Sequence, residues 1–190
     1  MKWTTQTIRR LGRCSLALSL LLFIVATPAI AGENCLGSPH WISTPTGRYI
    51  NHTHIFCGEL NRRGRLVGFH SRPQGENPST VLDFNITQPA NRQGIYAGRW
   101  TYSGTTRDNK FSTLFPDHCS EQQVIHSIAY AEAQRVACPA GAPHWAWCGP
   151  NRPADAEHDS RFCQAKDGSS YMIAGASLTD GRINTAFPLR

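Results

Sequence analysis

His54-Ile55-Phe56-Cys57-Gly58-Glu59-Leu60-Asn61-Arg62-Arg63-Gly64-Arg65-Leu66-Val67-Gly68-Phe69-His70-Ser71 decides how this chain is read. Two apolar-rich runs, 54–60 and 65–71, flank Asn61-Arg62-Arg63-Gly64, a pattern that predicts a β-hairpin. Pairing Leu60 with Arg65 sets Ile55 opposite His70 and His54 opposite Ser71, so two imidazoles come close together. Such a pair divides into one proton acceptor and one proton donor, the division that phosphodiester transesterification requires.

Outward from this hairpin, residues 81–87 and 95–102 read as further strands. Ser120 opens a helix with a capping box to Gln123, and Val124, Ile125, Ile128 and Ala129 form an apolar stripe at helical spacing. Pro139 is expected to end that helix. Residues 171–178 and 183–188 flank Thr179-Asp180-Gly181-Arg182, a second hairpin signal. Segment 139–168 is rich in Pro, Gly and Ala and reads as an irregular insertion held by disulfides. The fold class is α+β, mainly antiparallel sheets with packed helices.

The 190 residues suit one domain, and 40% hydrophobic with 17% charged residues excludes a disordered, collagenous or coiled-coil chain. The net charge of +6 is mostly a property of the N-terminus. Lys2, Arg9, Arg10 and Arg13 precede an apolar run over 16–26, and Ala29-Ile30-Ala31 is the small-residue pattern of a cleavage site. Residues 1–31 are therefore expected to be a signal peptide cut after Ala31, leaving a single domain over 32–190. Removing those four cations leaves 15 Lys+Arg against 13 Asp+Glu, so bulk charge says nothing about nucleic acid. The apolar run is shorter than the ~18–20 residues of a spanning helix. The mature chain is expected to be secreted or periplasmic, without stable membrane association.

Of seven cysteines, Cys14 leaves with the leader and six remain, which predicts three disulfides with the pairing open. Zinc usually takes tight Cys pairs, whereas the closest spacing here is Cys138 to Cys148.

Lysine is scarce beyond the leader, where only Lys110 and Lys166 occur. Lys110 reads either as a surface residue or as a compact charge kept for a developing negative charge on phosphorus. Arg62, Arg63 and Arg65 make a basic hairpin tip that suits phosphate, and equally a solvated turn. A metal site from His52, His54 and His118 competes with the metal-free reading. It rests on two ligands at i and i+2 and a third of unknown position. Trp145 and Trp147 read as stacking platforms or as tryptophans that cover disulfides.

The order of four blocks resembles the bacterial EndoU nucleases. His54-Ile55-Phe56-Cys57-Gly58 is similar to the family's first histidine block. Gly68-Phe69-His70-Ser71-Arg72-Pro73 resembles the second, 16 residues later. Lys110-Phe111-Ser112-Thr113-Leu114-Phe115-Pro116 resembles the lysine block, and Ile183-Asn184-Thr185-Ala186-Phe187-Pro188 the closing strand. The resemblance implies a ribonuclease-like fold and an endoribonuclease acting on single-stranded RNA, in many members beside uridine, that leaves a 2′,3′-cyclic phosphate and a 5′-hydroxyl. It implies His54 and His70 as the acid/base pair, Lys110 as the electrostatic stabiliser, and Thr185 as a substrate contact. Ser112 and Thr113, close to Lys110 in sequence, read equally as contacts to phosphate or base and as ordinary turn and strand residues. No cofactor is required on this reading, although manganese stimulates some relatives. A monomer is expected, with single-stranded RNA and a cognate immunity protein as candidate partners. The family usually carries tyrosine where this chain has Phe187, which keeps a stacking ring but loses a phenol. A catalytically weak or inactive RNA-binding or protein-interaction module on the same fold is the alternative.

Overall fold

The capping box written in Ser120-Glu121-Gln122-Gln123 is closed in the computed structural model of the chain. Ser120 Oγ accepts from the Gln123 N–H, and Gln123 Oε1 accepts from the Ser120 N–H. Together they satisfy two amides that a helix start otherwise leaves open. The structure describes Met1 and residues 35–104 and 108–190; the expected leader and its cleavage after Ala31 lie outside the described residues.

Strands β1 (Trp41–Ser43), β2 (Tyr49–Asn51), β3 (Glu59–Leu60), β4 (Leu66–Val67), β5 (Val81–Gln88), β6 (Tyr96–Tyr102) and β7 (Asn109–Leu114) precede helix α1 (Glu121–Ala133). Strands β8 (Trp147–Pro150), β9 (Met172–Ser177) and β10 (Ile183–Pro188) follow it. They form a five-stranded sheet β1-β2-β10-β9-β8, a three-stranded sheet β5-β6-β7 and the two-stranded ribbon β3-β4. Pairing is antiparallel except between β2 and β10. The class is α+β with mostly antiparallel sheets and few helices.

The apolar stripe of α1 is the reason the helix docks. Val124, Ile125, Ile128 and Ala131 are buried with Ile50, Ile173, Ile183 and Ala186 of the larger sheet, and each of the valine and isoleucine side chains contributes about 1.5–3 kcal/mol when fully buried. A second core of Leu66, Phe69, Val81, Tyr96, Trp100 and Leu114 fills the space between the three-stranded sheet and the β3-β4 ribbon. Disulfides join Cys35–Cys57, Cys119–Cys163 and Cys138–Cys148, the three bridges the cysteine count predicts. They fit an oxidising compartment such as the periplasm or the extracellular space. Among the described residues, no helix is long and apolar enough to cross a membrane.

Four local expectations change. The run 54–60 is not a strand: Thr53–Cys57 form a helical turn, and only Glu59–Leu60 enter the ribbon. The Asn51 side chain accepts the His54 N–H and holds the start of that turn, while the carbonyls of His54 and Ile55 accept from Phe69, His70 and Ser71. The two histidine blocks thus dock across a turn instead of pairing as strands. The ribbon register pairs Leu60 with Leu66, not Arg65, because the Asn61 side chain accepts the N–H groups of both Arg63 and Arg65 and lengthens the turn. Helix α1 stops at Ala133, well before Pro139, with Gln134 at its C-terminal cap. Within 139–168, residues Trp147–Pro150 form β8, which pairs with β9 and buries Cys148, so this stretch contributes an edge strand to the main sheet.

Candidate active site

Backbone strain and close approach bring the two histidine blocks together. Gly68 has φ +81°, and a Cβ there would lie 2.1 Å from the His54 carbonyl oxygen. Only glycine permits this contact between the helical turn and the segment entering His70. Phe69 then adopts φ +60°, a rare conformation for a bulky residue, and its ring is fully buried against Trp100. His70 is locked on both sides: its N–H donates to the Ile55 carbonyl at 2.7 Å, and its carbonyl accepts from Phe115 at 2.9 Å.

The ring of His70 is buried, and its Nδ1 lies 3.1 Å from the Thr113 carbonyl. A carbonyl only accepts, so Nδ1 carries the proton and Nε2 keeps the lone pair in the neutral ring. Burial, then the charges of Lys110 and His54, hold His70 well below the ordinary imidazole value, against the opposing effect of the Thr113 hydrogen bond. His70 is thereby kept as a neutral acceptor.

His54 has a different partner. Its Nδ1 is 3.1 Å from Glu59 Oε1, and Asn51 Nδ2 donates to the same carboxylate oxygen and to Asn184 Oδ1 of β10. Burial opposes ionisation of Glu59, but the hydrogen bond and charge of His54, with the charge of His40 and the Asn51 hydrogen bond, together outweigh it, so the carboxyl sits below its ordinary value. A carboxylate at Nδ1 fixes the ring and offers a charge-assisted bond when Nε2 also carries a proton. The two imidazole centroids are 5.9 Å apart and tilted by 33°. Among the described residues, neither Nε2 has a hydrogen-bond partner.

Lys110 reaches the same place from β7. Its ammonium donates to Ser112 Oγ at 3.1 Å and to the Phe111 carbonyl at 2.9 Å, and burial pushes its pKa down to about 8. Ser112 is buried and its hydroxyl is saturated, accepting from Lys110 and from Trp100 Nε1 and donating to the Gly68 carbonyl at 2.8 Å. The hydroxyl thus ties β6, β7 and the glycine approach together.

His54, His70 and Lys110 meet around one cavity of about 410 Å³, whose walls are completed by Thr113, Thr185, Phe187 and Trp145. Phe187 lies 5.3 Å from the His70 ring, and the half-exposed Trp145 meets Phe187 edge-on at 6.1 Å. Arg62 and Arg63 are exposed in the turn between β3 and β4 and do not line the cavity. The three histidines considered for a metal have separate partners: His52 meets Glu121, His54 meets Glu59, and His118 meets the Gln164 carbonyl. Among the described residues, no group of three or more His, Cys, Asp or Glu is placed to hold a metal ion.

Sequence reasoning missed Glu59 and Asn51, which hold His54, and Asn184, which ties Asn51 to β10. A carboxylate five residues beyond His54 was the available signal, but a strand reading points side chains by alternation and hides it. The helical turn brings Glu59 back onto the ring.

Two imidazoles whose Nδ1 atoms face different acceptors, a carboxylate and a carbonyl, stand beside a desolvated ammonium, a set of groups suited to acid–base chemistry. The chain belongs to the bacterial EndoU nuclease family, whose family model matches residues 49–190 and so includes the whole of this cavity. A protein of Bacillus cereus (strain ATCC 14579) named "Toxin" is 34% identical over 85 residues, which are 44% of this chain and 15% of that relative. No solved structure matches the chain.

Proposed function

We propose that the chain is an exported endoribonuclease that cleaves single-stranded RNA by attack of the ribose 2′-hydroxyl on the adjacent phosphorus. His70 Nε2 takes the 2′-proton, the 2′-oxygen bonds to phosphorus, and His54 Nε2–H gives its proton to the leaving 5′-oxygen as the P–O5′ bond breaks. The products are a 2′,3′-cyclic phosphate and a 5′-hydroxyl, and no atom is consumed beyond those of the substrate. Lys110 meets the non-bridging oxygens, where negative charge gathers in the transition state; removing one such donor costs about 10²–10³ in kcat. The reaction so written needs no bound metal.

The carrying observation is the contrast at Nδ1: a carbonyl on His70 and a carboxylate on His54, with both Nε2 atoms left for substrate. Phe187 and Thr185 of β10 are assigned to the base and ribose, and Thr113 to the base or phosphate beside the scissile linkage. Ser112 is assigned to positioning, because its hydroxyl has no bond left to give. Arg62 and Arg63 act as an outlying phosphate contact that steers the strand toward the cavity. The relative named a toxin supports a toxic role for the nuclease, with a cognate immunity protein as the partner that would protect the producing cell.

The test incubates purified protein and its His70→Ala and Glu59→Gln variants with single-stranded RNA and with DNA of the same sequence, in EDTA. Wild-type cleavage of RNA alone, with cyclic phosphate ends by mass spectrometry, is the expected outcome. Glu59→Gln is expected to lower kcat by about 10–10² while His70→Ala loses about 10²–10⁴. Retention of intact RNA by wild type and His70→Ala alike would assign the chain to binding instead.

A further inference from the structure

The loop between Cys138 and Cys148 lies on both sides of the Phe187 ring. Its Trp145 walls the catalytic cavity, while its residues Pro139–Pro143 wall a second cavity of about 440 Å³. The two cavities share Thr113 and Phe187, so the ring is a partition between neighbouring spaces and not the end of one. The second space is also lined by Leu189 and Arg190.

Resting on the endoribonuclease reading, we infer that this second space is a subsite for the nucleotide next to the one held in the catalytic cavity. A strand seated at His54, His70 and Lys110 passes the edge of Phe187 directly into it, and a nucleotide is the one ligand that continuity with a scissile linkage delivers there. The wall chemistry suits a base or ribose, because Pro139, Ala140, Ala142 and Pro143 present apolar surface. Arg190 supplies the cation. One of its terminal nitrogens donates to the Pro89 carbonyl at 2.8 Å, and a guanidinium has five N–H donors, so others remain for a phosphate oxygen.

The wall is also stiff before any ligand arrives. The Cys138–Cys148 disulfide closes the loop, Val136 and Cys148 form a β-bridge at its base, and Ala142 and Ala146 donate back to Pro139 and Pro143 in two successive turns. Two prolines fix further backbone angles. A preformed wall costs little ordering when a flexible strand binds, which is where affinity for a second nucleotide arises. The segment read from composition as an irregular insertion is on this account a substrate wall.

The experiment compares kcat/KM for a uridine-containing dinucleotide and for a hexanucleotide extended on both sides of the same linkage. Wild type, Ala142→Trp, which fills the space, and Arg190→Ala, which removes its cation, are measured, with circular dichroism and thermal unfolding reporting the fold. Wild type is expected to prefer the hexanucleotide at least tenfold, and each variant to lose at least fivefold of that ratio. Equal use of both lengths by wild type, or a ratio unmoved in both variants, overturns the subsite while leaving the nuclease standing. A parallel binding measurement uses the same oligonucleotides with 2′-deoxyuridine at the linkage. If no RNA is cut yet the hexanucleotide binds more tightly in a manner that Ala142→Trp abolishes, the nuclease reading fails and the subsite stands. Absence of any length preference in binding overturns it in either case.

Discussion

The Lys110 ammonium lies 3.1 Å from the Ser112 hydroxyl, and that hydroxyl is already shared with Trp100 and the Gly68 carbonyl. A single serine therefore aims the cation at the cavity and anchors the glycine on which His54 rests.

Lys110 and Ser112 are expected to respond in opposite directions. Lys110→Met removes a charge that burial disfavours, as its lowered pKa shows. It should raise Tm by about 2–4 °C, the shift of roughly 1 kcal/mol in a domain of this size, while cutting kcat by about 10²–10³. Ser112→Ala leaves Trp100 Nε1 and the Gly68 carbonyl without their buried partner and should lower stability by about 1–3 kcal/mol, with kcat falling as Lys110 loses its guide. Thermal unfolding and steady-state kinetics on both variants read the contrast.

The rate should follow a bell in pH. On the proposed mechanism His70 acts as the neutral base, and because its pKa is depressed the acidic limb is expected below the ordinary value of about 6.5. On the same mechanism Lys110 acts as a cation, so deprotonation at about 8 is expected to contribute an alkaline limb. Lys110→Arg, which stays charged, should lose that contribution in whatever activity it keeps. Stability follows the same sign for His70. As pH falls below about 6.5, the unfolded chain takes up a proton there that the folded chain refuses, so the folded state weakens until the lower folded pKa is reached. In His70→Gln the dependence of Tm on pH across that window should flatten.

Gly68→Ala should disable the site through the backbone. The added carbon meets the His54 carbonyl oxygen at 2.1 Å in a left-handed conformation, and the loss should be at least about 2 kcal/mol, since strain of this kind costs about 1–3 kcal/mol before the clash is counted. A soluble variant that unfolds at a lower temperature and has lost most of its kcat is the expected result. Wild-type kinetics in Gly68→Ala would show that the close approach is dispensable.

Phe187 separates stacking from hydrogen bonding. Phe187→Ala should weaken RNA binding by about 1–3 kcal/mol, the worth of one stacked base. Phe187→Tyr adds the phenol usual in the family and should leave stacking intact. Its expected effect is a sharper preference among linkages, measured as product distribution on an RNA with all four bases beside equivalent phosphates.

Local signals were readable where the physics is local. The Ser120–Gln123 capping box, the stripe over Val124, Ile125 and Ile128, the Asp180-Gly181 turn and strand Ile183–Pro188 depend on near neighbours and stand close to where the pattern puts them. The run after His54 failed for the same reason in reverse. Its apolar-rich character suits a strand, but long-range bonds from Phe69, His70 and Ser71 to the His54 and Ile55 carbonyls make the turn the better partner.

The amino-acid order alone determined the family blocks, the scarcity of lysine around Lys110, the even set of six cysteines and the α+β class. Their chemistry is written in residue identity and short spacing. Only tertiary structure decided which cysteines pair, that Glu59 holds His54, and that Trp145 meets Phe187 from a disulfide-closed loop. Each of these is a contact between segments distant in sequence or turned by an unforeseen bend, set by how two cores pack and not by any local preference of the chain.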